Sequence, residues 1–151
     1  MFASRLDYQT TTYVAWRAEP QAMVKNAFTL NWHYSPIYAS PGFSLIAPVL
    51  QKIQMDLSEE IIVVSQWIAQ SWYSLLARIL IEKPLLLPQR DSILYLPFNQ
   101  AKRHPFGKNL KLMSCLLLGR PSKIKEFHSQ LMHEFILSSW RHVTQKIFRT
   151  Y

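Results

Sequence analysis

The sequence has few of the residues on which several classes of functional site depend. Its 151 residues include one cysteine, Cys115, which excludes an intramolecular disulfide and a multi-cysteine zinc site. The three glycines, Gly42, Gly107 and Gly119, cannot form a P-loop or a G-x-G-x-x-G turn. Nucleotide sites of those two designs are therefore excluded.

Long apolar runs are missing too. Runs such as Ile61 to Val64 and Cys115 to Leu118 are far shorter than the roughly 20 residues that a membrane-spanning helix needs. We therefore expect no membrane partner. Because no secretory segment follows Met1, we expect an intracellular protein, with nucleus and cytoplasm both open.

What the chain does contain is material for a packed core. Apolar residues make up 49% of the sequence and charged residues 17%, and the aromatic residues are 5 Trp, 7 Tyr and 8 Phe. Such a composition is typical of a folded chain and not of a disordered one. The length predicts one domain with at most a short appendage.

The net charge of +8 is confined to one part of the chain. Residues 1–98 carry seven Lys or Arg and seven acids, whereas residues 99–151 carry ten basic residues against Glu126 and Glu134. Clustered basic residues favour contact with a polyanion, and nucleic acid fits best because phosphates neutralised by Lys and Arg release counterions. A basic solvated surface is the alternative that charge alone leaves equally open.

Hydrophobic periodicity predicts alternating helices and strands. The run of β-branched residues at 60–65 predicts a strand covered on both faces, as in a parallel sheet. The other predicted elements are a strand at 13–16, helices at 44–55 and 70–81, and short strands at 85–87 and 93–96. This order indicates an α/β layered sheet.

The pattern changes after Leu118. Gly119, Arg120 and Pro121 form a break, and Ser122 caps a long helical pattern that extends to Tyr151. We therefore predict a domain over 1–118, a linker over 119–121 and a separate helical piece over 122–151.

Five phrases follow one another along the first third of the chain: FASRL at 2–6, YVAWR at 13–17, NAFTLNW at 26–32, YASPGFSLI at 38–46 and VLQKI at 49–53. In this order they resemble the polyprotein of DIRS-type, tyrosine-recombinase retrotransposons. The resemblance continues through Trp67, Trp72-Tyr73, the PLLLP phrase at 84–88 and His104-Pro105 to Leu118-Gly119. It covers nearly the whole chain.

The resemblance implies a position in the polyprotein and a fold. In that family the segment lies between the ribonuclease H domain and the tyrosine recombinase, and it is similar to a phage-type DNA N6-adenine methyltransferase. Residues 1–118 would then form a truncated Rossmann-like, methyltransferase-like sheet with flanking helices. Residues 138–151 resemble the first helix of the recombinase's N-terminal DNA-binding domain.

The resemblance also implies site residues. The methyltransferase catalytic loop, [Asp/Asn/Ser]-Pro-Pro-[Tyr/Phe], corresponds to Ser40, Pro41, Gly42 and Phe43. Such a loop accepts hydrogen bonds from the adenine amino group and stacks the flipped base on its aromatic ring. The Phe2-Ala3 phrase corresponds to the S-adenosylmethionine site.

Departures from the pattern predict an inactive protein. The acidic residue expected before the Phe-Ala phrase is replaced by Met1, and the aspartate expected before the Ala-Phe phrase is replaced by Asn26. Gly42 replaces the second proline of the catalytic loop, which loosens a turn whose rigidity supports catalysis. We therefore expect no cofactor, or S-adenosylmethionine if the domain is an active adenine methyltransferase.

Other chemistry has weaker support. The five histidines include no pair at metal spacing with a convincing third ligand, so no metal site is predicted. Cys115 lies in an apolar run, where a cysteine usually packs as a small hydrophobe. Trp32, Trp67 and Trp72 flank apolar runs, and tryptophans so placed are more often core residues than base-stacking ones.

Three functional hypotheses follow. The first is an inactive, retrotransposon-derived fragment that binds DNA weakly and without sequence preference, with the rest of a retroelement polyprotein as a further partner. The second is an adenine-N6 methyltransferase, and the third is a nucleic-acid-binding module that acts in recombination or integration. The predicted phosphate contacts are Lys102, Arg103, Lys108, Lys111, Arg141, Lys146 and Arg149.

Overall fold

The computed structural model describes residues 13–14, 20, 26–34, 37–89, 95–96, 99–103 and 110–148. For residues 95–96, 99–103 and 135–148 it describes the backbone alone. These residues form helices and a mixed four-stranded sheet, so the chain is an α/β protein, as predicted.

The described elements comprise strands, α-helices and short 3-10 helices. The strands are β1 (Tyr38–Ala39), β2 (Glu59–Ser65), β3 (Leu85–Leu86), β4 (Tyr95–Leu96), β5 (Asn99–Arg103) and β6 (Leu112–Leu118). The α-helices are α1 (Ile46–Asp56), α2 (Ser71–Ile79) and α3 (Pro121–Phe148). Short 3-10 helices cover Ala27–Thr29, Trp32–Tyr34 and Phe43–Leu45.

The larger sheet has the strand order β1-β2-β6-β3. Strands β1 and β2 are parallel, with Tyr38 opposite Ile61, and α1 makes the crossover between them. Strand β6 runs antiparallel to both of its neighbours, β2 and β3. Strands β4 and β5 form a separate antiparallel pair.

One face of this sheet carries the core. Ile62, Val64, Met113, Cys115 and Leu117 alternate along β2 and β6 and are buried. They form one cluster with the apolar faces of α1 and α2, which contribute Ile46, Val49, Leu50, Ile53, Trp72, Leu76 and Ile79. Both helices therefore cover the same side of the sheet.

The other face is more open, which corrects one prediction. Ile61 is 46% exposed, so β2 is not covered on both faces along its whole length. The reason is that β2 lies beside the antiparallel β6 and that both neighbouring helices pack on the opposite side. A continuous apolar run therefore does not require a fully enclosed strand.

Helix α1 begins and ends with specific backbone features. The Leu45 N–H donates to Gly42 O at 2.8 Å and closes the 3-10 turn before the helix, and Pro48 lies in the first turn, where no intrahelical N–H is needed. The helix ends at Asp56; the next residue, Leu57, has a left-handed φ of 52°, and the Ser58 N–H donates to Ile53 O at 3.2 Å. This cap turns the chain directly into β2.

The predicted elements agree with these bounds in most places. The predictions at 44–55, 60–65, 70–81 and 85–87 are confirmed, with ends shifted by one or two residues. The structure describes 95–96 of the predicted 93–96 strand, and of the predicted 13–16 strand it describes Tyr13 and Val14, which are both buried. Strands β1, β5 and β6 had no counterpart among the predicted elements.

The C-terminal helical prediction is also confirmed, because α3 spans Pro121–Phe148. Its first turns do not stand apart from the sheet: Ile124 and Phe127 pack against the core. The division into 1–118, 119–121 and 122–151 stays a prediction. Within the described part of the chain, no helix has the length and apolar content needed to cross a membrane.

Candidate functional site

The loop predicted to be catalytic lies at the carboxyl end of β1. Ser40 follows the strand directly, and the next residues lead into α1. Because β1 and β2 are parallel, their carboxyl ends meet at one edge of the sheet, and such edges are where open α/β sheets bind ligands. We call this the carboxyl edge, and the opposite side, where β2 begins, the amino edge.

The structure brings a second aromatic residue to this loop. Phe43 is 47% exposed, and its ring stacks on Trp67 with ring centroids 4.6 Å apart and an angle of 21° between the ring planes. Trp67 stands two residues beyond β2, and its N–H donates to Ser65 O at 2.9 Å. The two rings therefore join the ends of the two parallel strands.

Trp67 is the residue that sequence reasoning missed. Trp32 and Trp72 are buried, which agrees with their prediction as core residues, but Trp67 is 37% exposed and the core prediction is wrong for it. The available signal was its position just after a predicted buried strand, because residues that follow the strands of an α/β sheet are frequent ligand contacts.

The remaining residues of the loop are open to solvent to different degrees. Ser40 is exposed and Pro41 is half-buried. Gly42 has φ −60° and ψ 155°, and a Cβ at this position would meet nothing within 4 Å. The glycine therefore serves neither a left-handed backbone nor a close contact, and a second proline would fit its backbone angle.

One predicted phosphate contact lies at the same edge. Lys111 precedes β6, its side chain is exposed, and its carbonyl oxygen accepts from the Gln66 N–H at 2.8 Å. The ammonium group thus belongs to the same sheet edge as Trp67. It could contact a phosphate next to a base at the aromatic pair.

The side chains of the other predicted phosphate and cofactor contacts lie outside the part of the chain that the structure describes. Lys102 and Arg103 are on β5 of the separate strand pair, and Arg141 and Lys146 are on α3, with their side chains outside the described part. Phe2, Ala3, Lys108 and Arg149 lie outside the described residues altogether.

The amino edge carries a buried polar network. Glu60 is 2% exposed, and one of its carboxyl oxygens, Oε2, accepts from the Ile37 N–H. Asp56 at the end of α1 accepts from the Trp32 N–H at 2.7 Å and pairs with Lys52 at 2.8 Å. This network ties β1, α1 and the 3-10 turn at Trp32 to the start of β2.

Burial changes the acidity of two groups. It raises the pKa of Glu60 from 4.5 to about 7, and the negative charge of Asp56 adds to that rise, while the Ile37 N–H and the Ser58 hydroxyl oppose it. It also raises the pKa of the Cys115 thiol to about 12. Cys115 is fully buried in the core, and at neutral pH it is a thiol with no nucleophilic thiolate form.

The described side chains form no cluster of metal ligands. Within 13–14, 20, 26–34, 37–89 and 110–134, where side chains are described, no three His, Cys, Asp or Glu side chains come together as metal ligands. His33 contacts the Asp56 backbone oxygen through Nδ1 at 3.1 Å, and His128 stacks edge-on against Phe127.

The chain was compared with protein-family models, curated proteins and solved structures. No protein-family model, no curated protein and no solved structure matches the chain.

Proposed function

We propose that the chain is an inactive, methyltransferase-like fragment of a DIRS-type retroelement polyprotein that binds DNA weakly through its basic C-terminal third. The observation that carries the methyltransferase part is the position of the Ser40–Phe43 loop at the carboxyl end of a parallel strand, beside a stacked aromatic pair. A base-binding loop needs such an edge, because ligands of open α/β sheets bind there.

The sheet supports a Rossmann-like relationship. Strands β1 and β2 with the intervening α1 form the parallel crossover unit from which doubly wound sheets are built. The antiparallel β6 departs from this pattern, because it is an interior strand and the antiparallel strand that many doubly wound sheets carry is at the edge. The proposal treats the described sheet as part of a larger doubly wound one.

The aromatic pair supports inactivity. Trp67 covers one face of the Phe43 ring, which is the aromatic ring that the resemblance assigns to base stacking. A flipped adenine would have to use the remaining face or displace the indole, and displacing it forfeits about 1 kcal/mol of ring stacking. Gly42 is a second reason to expect inactivity, because it leaves the loop without the second proline that would make it rigid.

Calorimetry with S-adenosylmethionine tests inactivity. We expect no binding tighter than millimolar, about 4 kcal/mol weaker than a micromolar site. A micromolar dissociation constant would contradict the inactive assignment. The protein should be titrated at full length, with circular dichroism on the same sample to show that it is folded.

Charge supports the DNA-binding part. The whole excess of +8 lies beyond residue 98, and Lys111 is an exposed member of that part at the carboxyl edge. If three to five side chains of the basic third neutralise phosphates, the logarithm of affinity falls against the logarithm of salt with a slope of about −3 to −4.5.

Fluorescence anisotropy with two unrelated duplexes at several salt concentrations measures that slope. Removing everything after Asn99 is not a usable control, because β6 is an interior strand of the sheet. The double variant Lys108→Gln, Lys111→Gln should reduce the slope by about 1.8, the share of two contacts. The matched variant Arg78→Gln, Lys83→Gln removes two charges from the neutral part and should leave the slope unchanged. If both double variants changed the salt slope by the same amount, the basic third would be only a solvated surface and not a DNA contact.

The enzyme remains the second candidate, because Ser40 is exposed three residues before a half-exposed Phe43 at the carboxyl edge. Transfer of a labelled methyl group to adenine in DNA, lost in Ser40→Ala together with Phe43→Ala, would favour it. Without such transfer, DNA binding with the expected salt slope supports the fragment or a module for recombination or integration.

A further inference from the structure

The amino edge encloses a carboxyl group that lacks the partners an ionised carboxylate needs. Glu60 lies on the face of β2 that carries the core, between Ser58 and Ile62, and it is opposite Leu117 of β6. Its Oε2 accepts from the Ile37 N–H, while its Oε1 is buried with no hydrogen-bond partner among the described residues. A buried carboxylate normally has several donors or a cationic partner.

A neighbouring hydroxyl group, that of Ser58, is also buried without a hydrogen-bond partner among the described residues. Its Oγ is nevertheless close enough to Glu60 to affect the pKa of that carboxyl. A protonated carboxyl has an O–H that can be donated to this oxygen, so the neutral acid satisfies both atoms after a small rotation. The Ser58 hydroxyl can also donate to an ionised carboxylate, but it and the Ile37 N–H are then the only hydrogen-bond donors to a buried charge among the described residues.

Among the described residues, the charged groups around Glu60 do not supply a counter-charge, and the positive charge of the chain's N-terminus lowers the Glu60 pKa by less than burial raises it. On α1, Asp56 is negative, and the Lys52 ammonium beside it is bound to the Asp56 carboxylate. His33 is on the 3-10 turn next to Asp56 and contacts the Asp56 backbone oxygen. The adjacent Glu59 is exposed on the other face of β2, at 3.9 Å from Lys123 of α3. Ile37 and Leu117, the nearest residues on the neighbouring strands, are apolar.

We propose that Glu60 is a protonation-dependent latch: as a neutral acid it holds β1 on β2, and its ionisation loosens β1 together with the Ser40–Phe43 loop that follows it. The link to β1 is the Ile37 hydrogen bond, one residue before the strand, and the Ile61 N–H completes it by donating to Ile37 O at 3.3 Å. Strand β1 has only Tyr38 and Ala39 paired with β2, so these bonds are a large part of its attachment. Ionisation does not weaken the Ile37 bond itself; it favours a state in which β1 moves away from β2 and water reaches the buried carboxylate.

The direction of the pH effect follows from the burial. The folded pKa of about 7 is above the unfolded value of 4.5, so the folded state binds the proton more tightly. Stability from this group is complete below pH 4.5 and is lost as the pH rises through 7. Between pH 5 and 8 the folding equilibrium constant should fall on the order of 10- to 100-fold because of Glu60.

The first experiment measures urea unfolding of the full chain from pH 5 to 8. Glu60→Gln keeps the size of the side chain and can still accept from the Ile37 N–H, so it should remove this 10- to 100-fold change. Glu59→Gln is the matched control, since it removes the same charge from the exposed face of the same strand, and it should behave as wild type. A wild-type pH dependence that persists in Glu60→Gln overturns the proposal.

The second experiment is local and needs only the wild-type protein. Amide hydrogen exchange, corrected for the intrinsic pH dependence of the exchange rate, compares Ile37 with Cys115 in the β2–β6 ladder. We expect the protection of Ile37 to fall at least tenfold more than that of Cys115 between pH 5 and 8. An equal fall at both amides, or a Glu60 carboxyl that titrates near its ordinary pKa by carbon-13 NMR, overturns the proposal.

Discussion

The two edges of the sheet differ in how closely the backbone segments approach one another. At the amino edge, the Gly119 N–H donates to Ser58 O at 2.8 Å, and a Cβ on Gly119 would overlap Ile53 O and lie 2.7 Å from Leu57 Cα. At the carboxyl edge, a Cβ on Gly42 would meet nothing within 4 Å, and Phe43 and Trp67 are partly exposed.

This difference separates the part of the molecule that holds the fold from the part that is free to bind. The amino edge contains the left-handed Leu57, the buried Ser58 and the buried Glu60, and it joins α1 to both β2 and β6. The carboxyl edge contributes few buried groups, so its residues can change at small cost in stability. Substitutions at matched positions on the two edges test this comparison.

The largest expected difference is between two isoleucines. Ile53 near the amino edge is fully buried, and Ile53→Ala should lower the free energy of unfolding by about 3 to 4 kcal/mol through lost burial and a cavity. Ile68 just beyond Trp67 is 69% exposed, and Ile68→Ala should cost less than about 0.5 kcal/mol. Urea unfolding of both variants measures this, and similar losses would mean that the carboxyl edge is packed as tightly as the amino edge.

The two glycines should differ almost as much. Gly119→Ala forces a Cβ against the backbone at the end of α1, and we expect a loss of about 3 kcal/mol because backbone atoms cannot move aside as a flexible side chain can. Gly42→Ala should change the stability by less than about 0.5 kcal/mol. Thermal and urea unfolding measure both values. A well-tolerated Gly119→Ala would show that the approach of β6 to α1 is not close.

The aromatic pair should contribute a smaller amount. A double-mutant cycle with Phe43→Ala and Trp67→Ala should give a coupling energy of about 1 kcal/mol, the usual size for stacked rings. The single variants should leave the far-ultraviolet circular dichroism unchanged, because neither ring belongs to the core cluster. A coupling energy near zero would mean that the two rings do not stack in solution.

The smallest expected effect is a gain. Gly42→Pro restores the Pro-Pro form of the loop, and its φ of −60° matches the angle that a proline ring imposes. We expect about 0.5 kcal/mol of added stability, mainly from a less flexible unfolded chain. Urea unfolding of Gly42→Pro is compared with that of Gly42→Ala, because both variants add a Cβ and only the proline also restrains the backbone. A loss of stability in Gly42→Pro would show that the Gly42 N–H is needed.

Most helices and the central strand could be predicted because their signals are local. The spacing of Ile46, Val49, Leu50 and Ile53 predicts a buried helical stripe wherever the helix packs, and the structure buries all four. The β-branched run at 60–65 predicts a strand in the same way. Gly119 was correctly located at a break, although its tight contact with Ile53 and Leu57 was not foreseen.

Strand β6 could not be predicted from such signals. The run at Cys115–Leu118 is short and apolar, and periodicity does not distinguish a strand of that kind from a buried helical segment. What makes it a strand is the ladder with β2, in which Glu59 pairs with Leu118 and Ser65 with Leu112. These partners are more than 40 residues apart in sequence, so pairing energy and not local preference decides the structure.

At the carboxyl edge, too, some features could be predicted from the sequence and others depended on the tertiary structure. The resemblance indicated the loop at Ser40–Phe43, periodicity predicted the helix after it, and the cluster of basic residues indicated Lys111, but strand β1 before the loop was not predicted. Only the tertiary structure decided that Trp67 stacks on Phe43, since the two residues meet because β1 and β2 are parallel neighbours. It also decided the protonation of Glu60, because a carboxyl group keeps its ordinary pKa in water and changes it only when folding removes that water.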